Sequence, residues 1–268
     1  MDLKIFDVEH GACALLTCDD YTRLMVDCGH NATTAWRPGT YLKNNGISSL
    51  EMLAVTNYDE DHVSAIGDLF DNVDVQWLSR NTSVSSGAIR ALKTEDGMGA
   101  GIQRLAHDID HVFTGGGTAT LPQFRGLVRQ VFWNTYPTFD DENNLSMVVH
   151  LSCHGKGVMF PGDLERKGWM ELLKRADFRA ALKNTSVLVA SHHGRENGCC
   201  AEVFEYCNPY YVVISDQGYT YDTQQTIPFY RRHARGGPFR KDQERRVLTT
   251  RRDGRIGFTF SPDSWVPY

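Results

Sequence analysis

The chain has 268 residues, 41% hydrophobic and 23% charged, with a formal net charge of −5; this composition describes an ordinary soluble globular protein and excludes disordered and fibrous classes. No stretch approaches the roughly 18 consecutive apolar residues of a membrane span, and the chain starts directly in a strand-like run. Neither membrane insertion nor export is indicated, and a cytoplasmic location is expected. The seven cysteines include no Cys-x-x-Cys pair, which fits reduced, buried thiols.

Taken in order, Leu3 to Val8, Cys13 to Thr17 and Arg23 to Val26 predict three strands of an antiparallel meander at a domain edge. The third runs into Asp27-Cys28-Gly29. Residues 31–50 are polar, with a short helix predicted around Thr40 to Asn45. Met52 to Val55 then predicts a buried strand, and its apolar run stops at Asn57, Asp59, Asp61 and His62, ahead of the helical pattern Val63 to Phe70. A strand end is a rigid mount from which such groups can point at one spot. Asp and Glu are also favoured in the first turn of a helix, so this stretch alone fits either role.

Val73 to Leu78 predicts a further strand. Residues 79–117 are the least patterned, with Ser, Thr and Gly clusters around a helix-like Ile102 to Ile109, and have the form of an insertion that either faces a substrate or loops into solvent. His107 and His111 share a helix face by spacing, without a supporting motif. In the second half, Leu127 to Trp133, Met147 to Cys153 and Lys156 to Phe160 predict strands, the last leading to Gly162-Asp163, and Leu164 to Ala176 predicts an amphipathic helix. Val187 to Ala190 presents His192-His193-Gly194. Ala201 to Tyr206 reads as helical, and the strand Tyr211 to Ile214 ends at Ser215-Asp216, where Asp216 can act as a ligand or base or cap a turn. Carboxylates and imidazoles behind separate strands are what a divalent-cation hydrolase site needs.

The segment 231–255 carries ten Lys/Arg against three acids, a balance of +7, while the remainder carries −12. Arg231, Arg232 and Arg235 precede Gly236-Gly237-Pro238, a flexible cationic composition suited to phosphate. A solvated basic face is the other reading. Val247 to Thr250 and Ile256 to Phe260, joined through Asp253-Gly254, predict a hairpin.

Jointly, Asp7-Val8-Glu9-His10-Gly11, Asp27-Cys28-Gly29, Thr56 to His62, Asn143-Asn144-Leu145-Ser146, Gly162-Asp163 and His192-His193-Gly194 resemble the metallo-β-lactamase fold, and most closely its competence-protein branch, the ComEC-type hydrolase domains. The resemblance runs from Leu3 to about Phe260. It implies a single four-layer αββα sandwich over residues 1–268, with the site in the cleft between the two sheets. It implies that Asp61, His62, Asp163 and one of His192 and His193 hold one cation, and that Asn57, Asp59 and Asn143 or Asn144 hold another, with Asp163 bridging. The other histidine of the pair would stabilise developing charge or protonate a leaving oxygen. Asp27 would buttress the metal loop through hydrogen bonds, and Ser215 would lie near the substrate.

The departures are Asn57 and Asp59, where relatives carry histidines, and His10 with Ala12-Cys13 in the opening motif. An oxygen-rich first position suits Mn²⁺ or Mg²⁺ better than Zn²⁺, whereas the mixed second set suits Zn²⁺, Mn²⁺ or Fe²⁺. The expectation is a metal-dependent phosphodiesterase with one or two divalent ions, a nuclease acting on DNA or RNA and not on membranes. The rivals are a hydrolase of small phosphoesters or cyclic nucleotides on the same scaffold and a non-catalytic binding protein that has lost its first site.

Overall fold

The computed structural model describes residues 1–94, 97–114, 120–217, 225–241 and 243–268. The expected meander is present as β1 (Asp2–Ile5), β2 (Cys13–Thr17) and β3 (Arg23–Cys28), followed by the short β4 (Ser49–Leu50), β5 (Met52–Ala54), β6 (Asp74–Val75) and β7 (Leu78–Ser79). The second half supplies β8 (Val128–Phe132), β9 (Val148–Cys153), β10 (Lys156–Phe160), β11 (Thr185–Val189) and β12 (Tyr211–Ile214), then β13 (Gly237–Phe239), β14 (Gln243–Arg245), β15 (Val247–Thr249), β16 (Ile256–Phe260) and β17 (Trp265–Pro267). One sheet has the order β17-β16-β1-β2-β3-β5-β7 and the other β15-β12-β11-β10-β9-β8; β4 with β6 and β13 with β14 form small ribbons. The meander thus lies in mid-sheet, because β16 and β17 extend it beyond β1.

Period-two patterning builds the layers. Ala14, Leu16, Leu24, Val26, Met52 and Ala54 of the first sheet meet Val149, Leu151, Val158, Phe160, Val187 and Val213 of the second in one core. The alternate residues, Leu15, Met25 and Leu53, pack outward against α1 (Pro38–Asn44), α2 (Glu60–Val63), α3 (Ile66–Asn72), α4 (Ser86–Leu92) and α5 (Ala100–His111). Val148, Met159, Leu188 and Val212 pack outward against α6 (Arg166–Leu172), α7 (Ala176–Lys183) and α8 (Ile227–His233). The result is a four-layer αββα sandwich, the architecture of the metallo-β-lactamase fold. Each fully buried Leu, Val, Ile or Phe contributes roughly 1.5–3 kcal/mol to holding the layers together.

Several local expectations change. Val73 to Leu78 is not one strand but gives β6 and β7, which lie in different sheets. Leu164 to Ala176 is not one helix but spans the whole of α6 and the first residue of α7, which share the core through Trp169 and Phe178. The described residues of 79–117 include α4 and α5, which complete the outer layer through Ile89, Ile102 and Leu105; residues 95, 96 and 115–117 lie outside the described residues. The terminal hairpin does not form: β15 pairs in parallel with β12, β16 pairs antiparallel with β1, and α9 (Thr250–Asp253) carries the chain from one sheet to the other. Both strands are apolar enough to be buried in the two sheets, which outweighs the local turn signal of Asp253-Gly254. Among the described residues no helix is long and apolar enough to cross a membrane.

Candidate metal centre

The ends of β3, β5, β10 and β11 converge on one point. Beyond β5 the chain enters α2, whose first turn carries Asp61 and whose last carries His62. Two glycines let the neighbouring strands pack directly beneath this loop. A Cβ on Gly11 would lie 2.7 Å from the Asp61 carbonyl oxygen, and one on Gly29 would lie 2.5 Å from it. Glu60 ties the loop to the outer layer by accepting the N–H groups of Gly101 and Ile102 in the first turn of α5, at 2.8 and 3.1 Å. After β11, His192 and His193 stand at φ of +51° and +52°, and Asp27 in β3 at +57°. Left-handed backbone at non-glycine residues costs about 1–3 kcal/mol each, so the packing around this point holds the side chains in place against strain.

One ligand atom from each of Asp61, His62, Asp163 and His193 lies within 4.8 Å of the others. His62 Nε2 is 3.0 Å from Asp163 Oδ1, and His193 Nε2 is 3.1 Å from Asp61 and 3.5 Å from Asp163. Both rings are fixed from behind. His62 Nδ1–H donates to Asp27 at 2.9 Å, and Asp27 also accepts the Thr56 N–H at 2.7 Å. His193 Nδ1–H donates to the Ser215 carbonyl at 3.0 Å. Each Nε2 therefore faces the cluster, as backing partners impose on ligating imidazoles.

The electrostatics follow. Burial alone would lower the pKa of His62, but Asp163 and Asp27 outweigh it and raise it well above the usual imidazole value. Burial would raise Asp163, yet His62 and His193 hold it well below the carboxylate range. His193 Nε2 is buried and, among the described residues, has no aligned hydrogen-bond partner. Two imidazole nitrogens with two carboxylate oxygens form a donor set that fits Zn²⁺, Mn²⁺ or Fe²⁺.

Asp27 and Ser215 back the two rings, and the other expected site residues make contacts of their own. His192 Nε2 is 3.8 Å from Asp163 and accepts from Arg195 Nη1 at 3.2 Å. Asn57 is fully buried, its Oδ1 accepting the Asp59 N–H at 2.8 Å and its Nδ2 donating to Ser146 Oγ at 3.0 Å. Asn144 Oδ1 accepts the Gly168 N–H at 2.7 Å, and its Nδ2 donates to Asp141 at 2.9 Å, which ties the start of β9 to α6. Asn143 Nδ2 donates to Glu165 at 3.2 Å. Asp59 accepts from the Lys93 ammonium. Ser215 Oγ donates to the Gly11 carbonyl at 2.7 Å, and Asp216 pairs with Arg251 at 2.8 Å. Arg231 lines a cleft beside β15, Arg232 is exposed on α8, and the Arg235 guanidinium lies 4.0 Å from the Tyr210 ring centre.

Sequence reasoning missed several neighbours. Arg195 Nη2 donates to His10 Nε2 at 3.0 Å, and the His10 ring centre is 4.5 Å from that of His193. Lys93 reaches the metal loop from the end of α4. His10 was visible as a departure from the family pattern; Lys93 and Arg195 carried no signal in spacing.

No family model matches the sequence. The chain is 24% identical over 228 residues to ComE operon protein 3 of Bacillus subtilis (strain 168), which covers 82% of this chain and 26% of that protein. It therefore spans about a quarter of the length of the relative it matches. Among solved structures it is similar to a putative metal-dependent hydrolase from Parabacteroides distasonis, with a TM-score of 0.47, 11% identity and 93% of each chain covered. It is also similar to a diphosphatase from the PhnP family, with a TM-score of 0.47 and 8% identity, covering 97% of this chain and 98% of the other.

Proposed function

We propose that the protein is a metal-dependent hydrolase of phosphodiester bonds acting on nucleic acid, of the ComEC-type branch that its motifs resemble. The observation that carries this reading is the Asp61, His62, Asp163 and His193 cluster; a separate arginine-lined cleft is tied to it through the Arg251–Asp216 pair. The cleft has a volume of about 390 Å³ and is lined by Arg231, Arg245, Arg246, Arg251 and Arg252 with Ile227, Glu244, Val247 and Thr249. Arg251 pairs with Asp216, the neighbour of Ser215, whose carbonyl holds His193. Guanidinium groups match phosphate oxygens in charge and geometry, so the cleft supports a substrate whose phosphates are repeated beyond the one that reacts. The likeness to ComE operon protein 3 over most of this chain supports the branch.

Asp61, His62, Asp163 and His193 would hold the cation, with Asp27 and the Ser215 carbonyl keeping the two rings aimed. A cation bound there supplies Lewis acidity toward a phosphoryl oxygen and a nucleophilic hydroxide at neutral pH. His10, lowered by burial to about 4, and His192, also lowered by burial, stay neutral and accept from Arg195. They thereby position its guanidinium beside the cluster, where it attracts the phosphate being cleaved.

The test is hydrolysis of labelled single- and double-stranded DNA and RNA by EDTA-stripped protein with Mn²⁺, Zn²⁺ or Mg²⁺ restored, beside Asp163→Asn. Cleavage that depends on the cation and is lost in the variant is the expected result. A cleft of this volume also suits a small phosphoester, so cyclic and mononucleotide substrates form a second arm; turnover of these alone would replace the nucleic-acid reading.

A further inference from the structure

A buried lysine lies beside the loop that carries Asp59 and Asp61. Lys93 follows α4 and its side chain is only 6% exposed. Its ammonium donates to Asp59 and, at 2.6 Å, to Glu142 Oε1. Asp59 precedes Asp61 in the same loop, and its N–H binds Asn57 Oδ1. Asn57 Nδ2 donates to Ser146 Oγ, which also accepts the Asp163 N–H at 3.1 Å. Lys93 is therefore joined through Asp59, Asn57 and Ser146 to the backbone of a cluster carboxylate. Several of the oxygens that the family resemblance offered to a second ion already accept hydrogen bonds: Asn57 Oδ1 from the Asp59 N–H, Asn143 Oδ1 from Asn57 Nδ2 at 3.4 Å, Asn144 Oδ1 from the Gly168 N–H, and Asp59 Oδ1 from the lysine.

A surface ion pair would leave such a long side chain in water. Here it is enclosed and faces two carboxylates. An ammonium is a compact point charge with three donors, and among the described residues two of them are taken by Asp59 and Glu142. We propose that Lys93 takes the place of a second metal ion, so that the centre holds one ion and the ammonium supplies a second fixed positive charge for a phosphate bound there. The proposal rests on reading the Asp61, His62, Asp163 and His193 cluster as a cation site.

The experiment counts bound metal by mass spectrometry after EDTA-stripped protein is equilibrated with Mn²⁺ or Zn²⁺ and freed of excess, with thermal unfolding recorded in parallel. The expected count is one ion per chain, unchanged in Asp59→Asn. Hydrolysis of the nucleic-acid probe by Lys93→Met is expected to fall on the order of 10²-fold in kcat with the count still at one, and Lys93→Arg should recover much of it. Two ions in the wild type, any change of count on Asp59→Asn, or a wild-type kcat in Lys93→Met overturns the proposal. If Lys93→Met does not fold, the two metal counts decide. No bound ion would instead sink the cluster reading beneath it, and one ion without hydrolysis of any probe would sink only the proposed activity.

Discussion

Asp27 accepts from three groups with one carboxylate, the Thr56 N–H, the Thr56 hydroxyl and the His62 ring. Replacing it by Asn keeps the volume but removes the charge that backs the imidazole. Asp27→Asn is expected to weaken metal affinity by about 10–100-fold, measured by competition with a chromophoric chelator; unchanged affinity would mean that the ring is oriented without Asp27. His150 tests a different residue-scale effect, away from the site. It is fully buried in β9, and burial lowers its pKa to about 4 from the ordinary 6.5. Between those values the unfolded chain binds a proton that the folded chain refuses, so stability rises with pH across the window and levels off above it. Metal-free wild type should therefore lose thermal stability as pH falls from 6.5 toward 4. His150→Gln should lose less over the same range, and parallel Tm curves for the two proteins would exclude His150 as the cause.

At the scale of elements, the close approach of β3 to the metal loop is the feature most open to test. A Cβ at position 29 would lie 2.5 Å from the Asp61 carbonyl and 3.0 Å from that of Ala12. Gly29→Ala is expected to cost about 1–3 kcal/mol by urea unfolding and to weaken metal binding by displacing Asp61. Full affinity with full stability would show that the loop yields freely. Strand ends were the most legible elements in the sequence, because an apolar run and the polar cluster that stops it are adjacent in the chain. That is why Asp61, His62, Asp163 and the His192-His193 pair stand out in the sequence. Lys93 was not legible: its contact with Asp59 spans 34 residues and arises only once α4 packs against the first sheet. The 247–260 hairpin was misread because a local turn signal was taken as sufficient, whereas the partners of β15 and β16 are distant strands.

For the molecule as a whole, charge is segregated, and the sequence showed this in the basic 231–255 segment without showing which arginines share a surface. Arg235 stacks on Tyr210 and Arg245 pairs twice with Asp253, while the exposed Arg246 and Arg252 line the cleft. Arg246→Ala with Arg252→Ala is expected to weaken binding of double-stranded DNA and to flatten the plot of log affinity against log salt by about 0.9 for each phosphate that the variant no longer neutralises. An unchanged slope would place the nucleic-acid path elsewhere. The αββα architecture was legible because the motifs resembling a known fold run through nearly the whole chain; its layers rest on alternating strand patterns that can be read in the sequence.

The pairing of Asp2 with Thr259 in the first sheet also constrains the order in which the protein can fold during synthesis. β1 lacks one of its two neighbours until β16 has left the ribosome, so the first sheet cannot close while the second half is being made. Such long-range closure slows folding and leaves an unpaired strand edge exposed in the meantime. A nascent chain stalled before Thr250 should therefore be cut readily by protease within β1 and β2, and one extended far enough beyond Phe260 for β16 to clear the ribosome should resist.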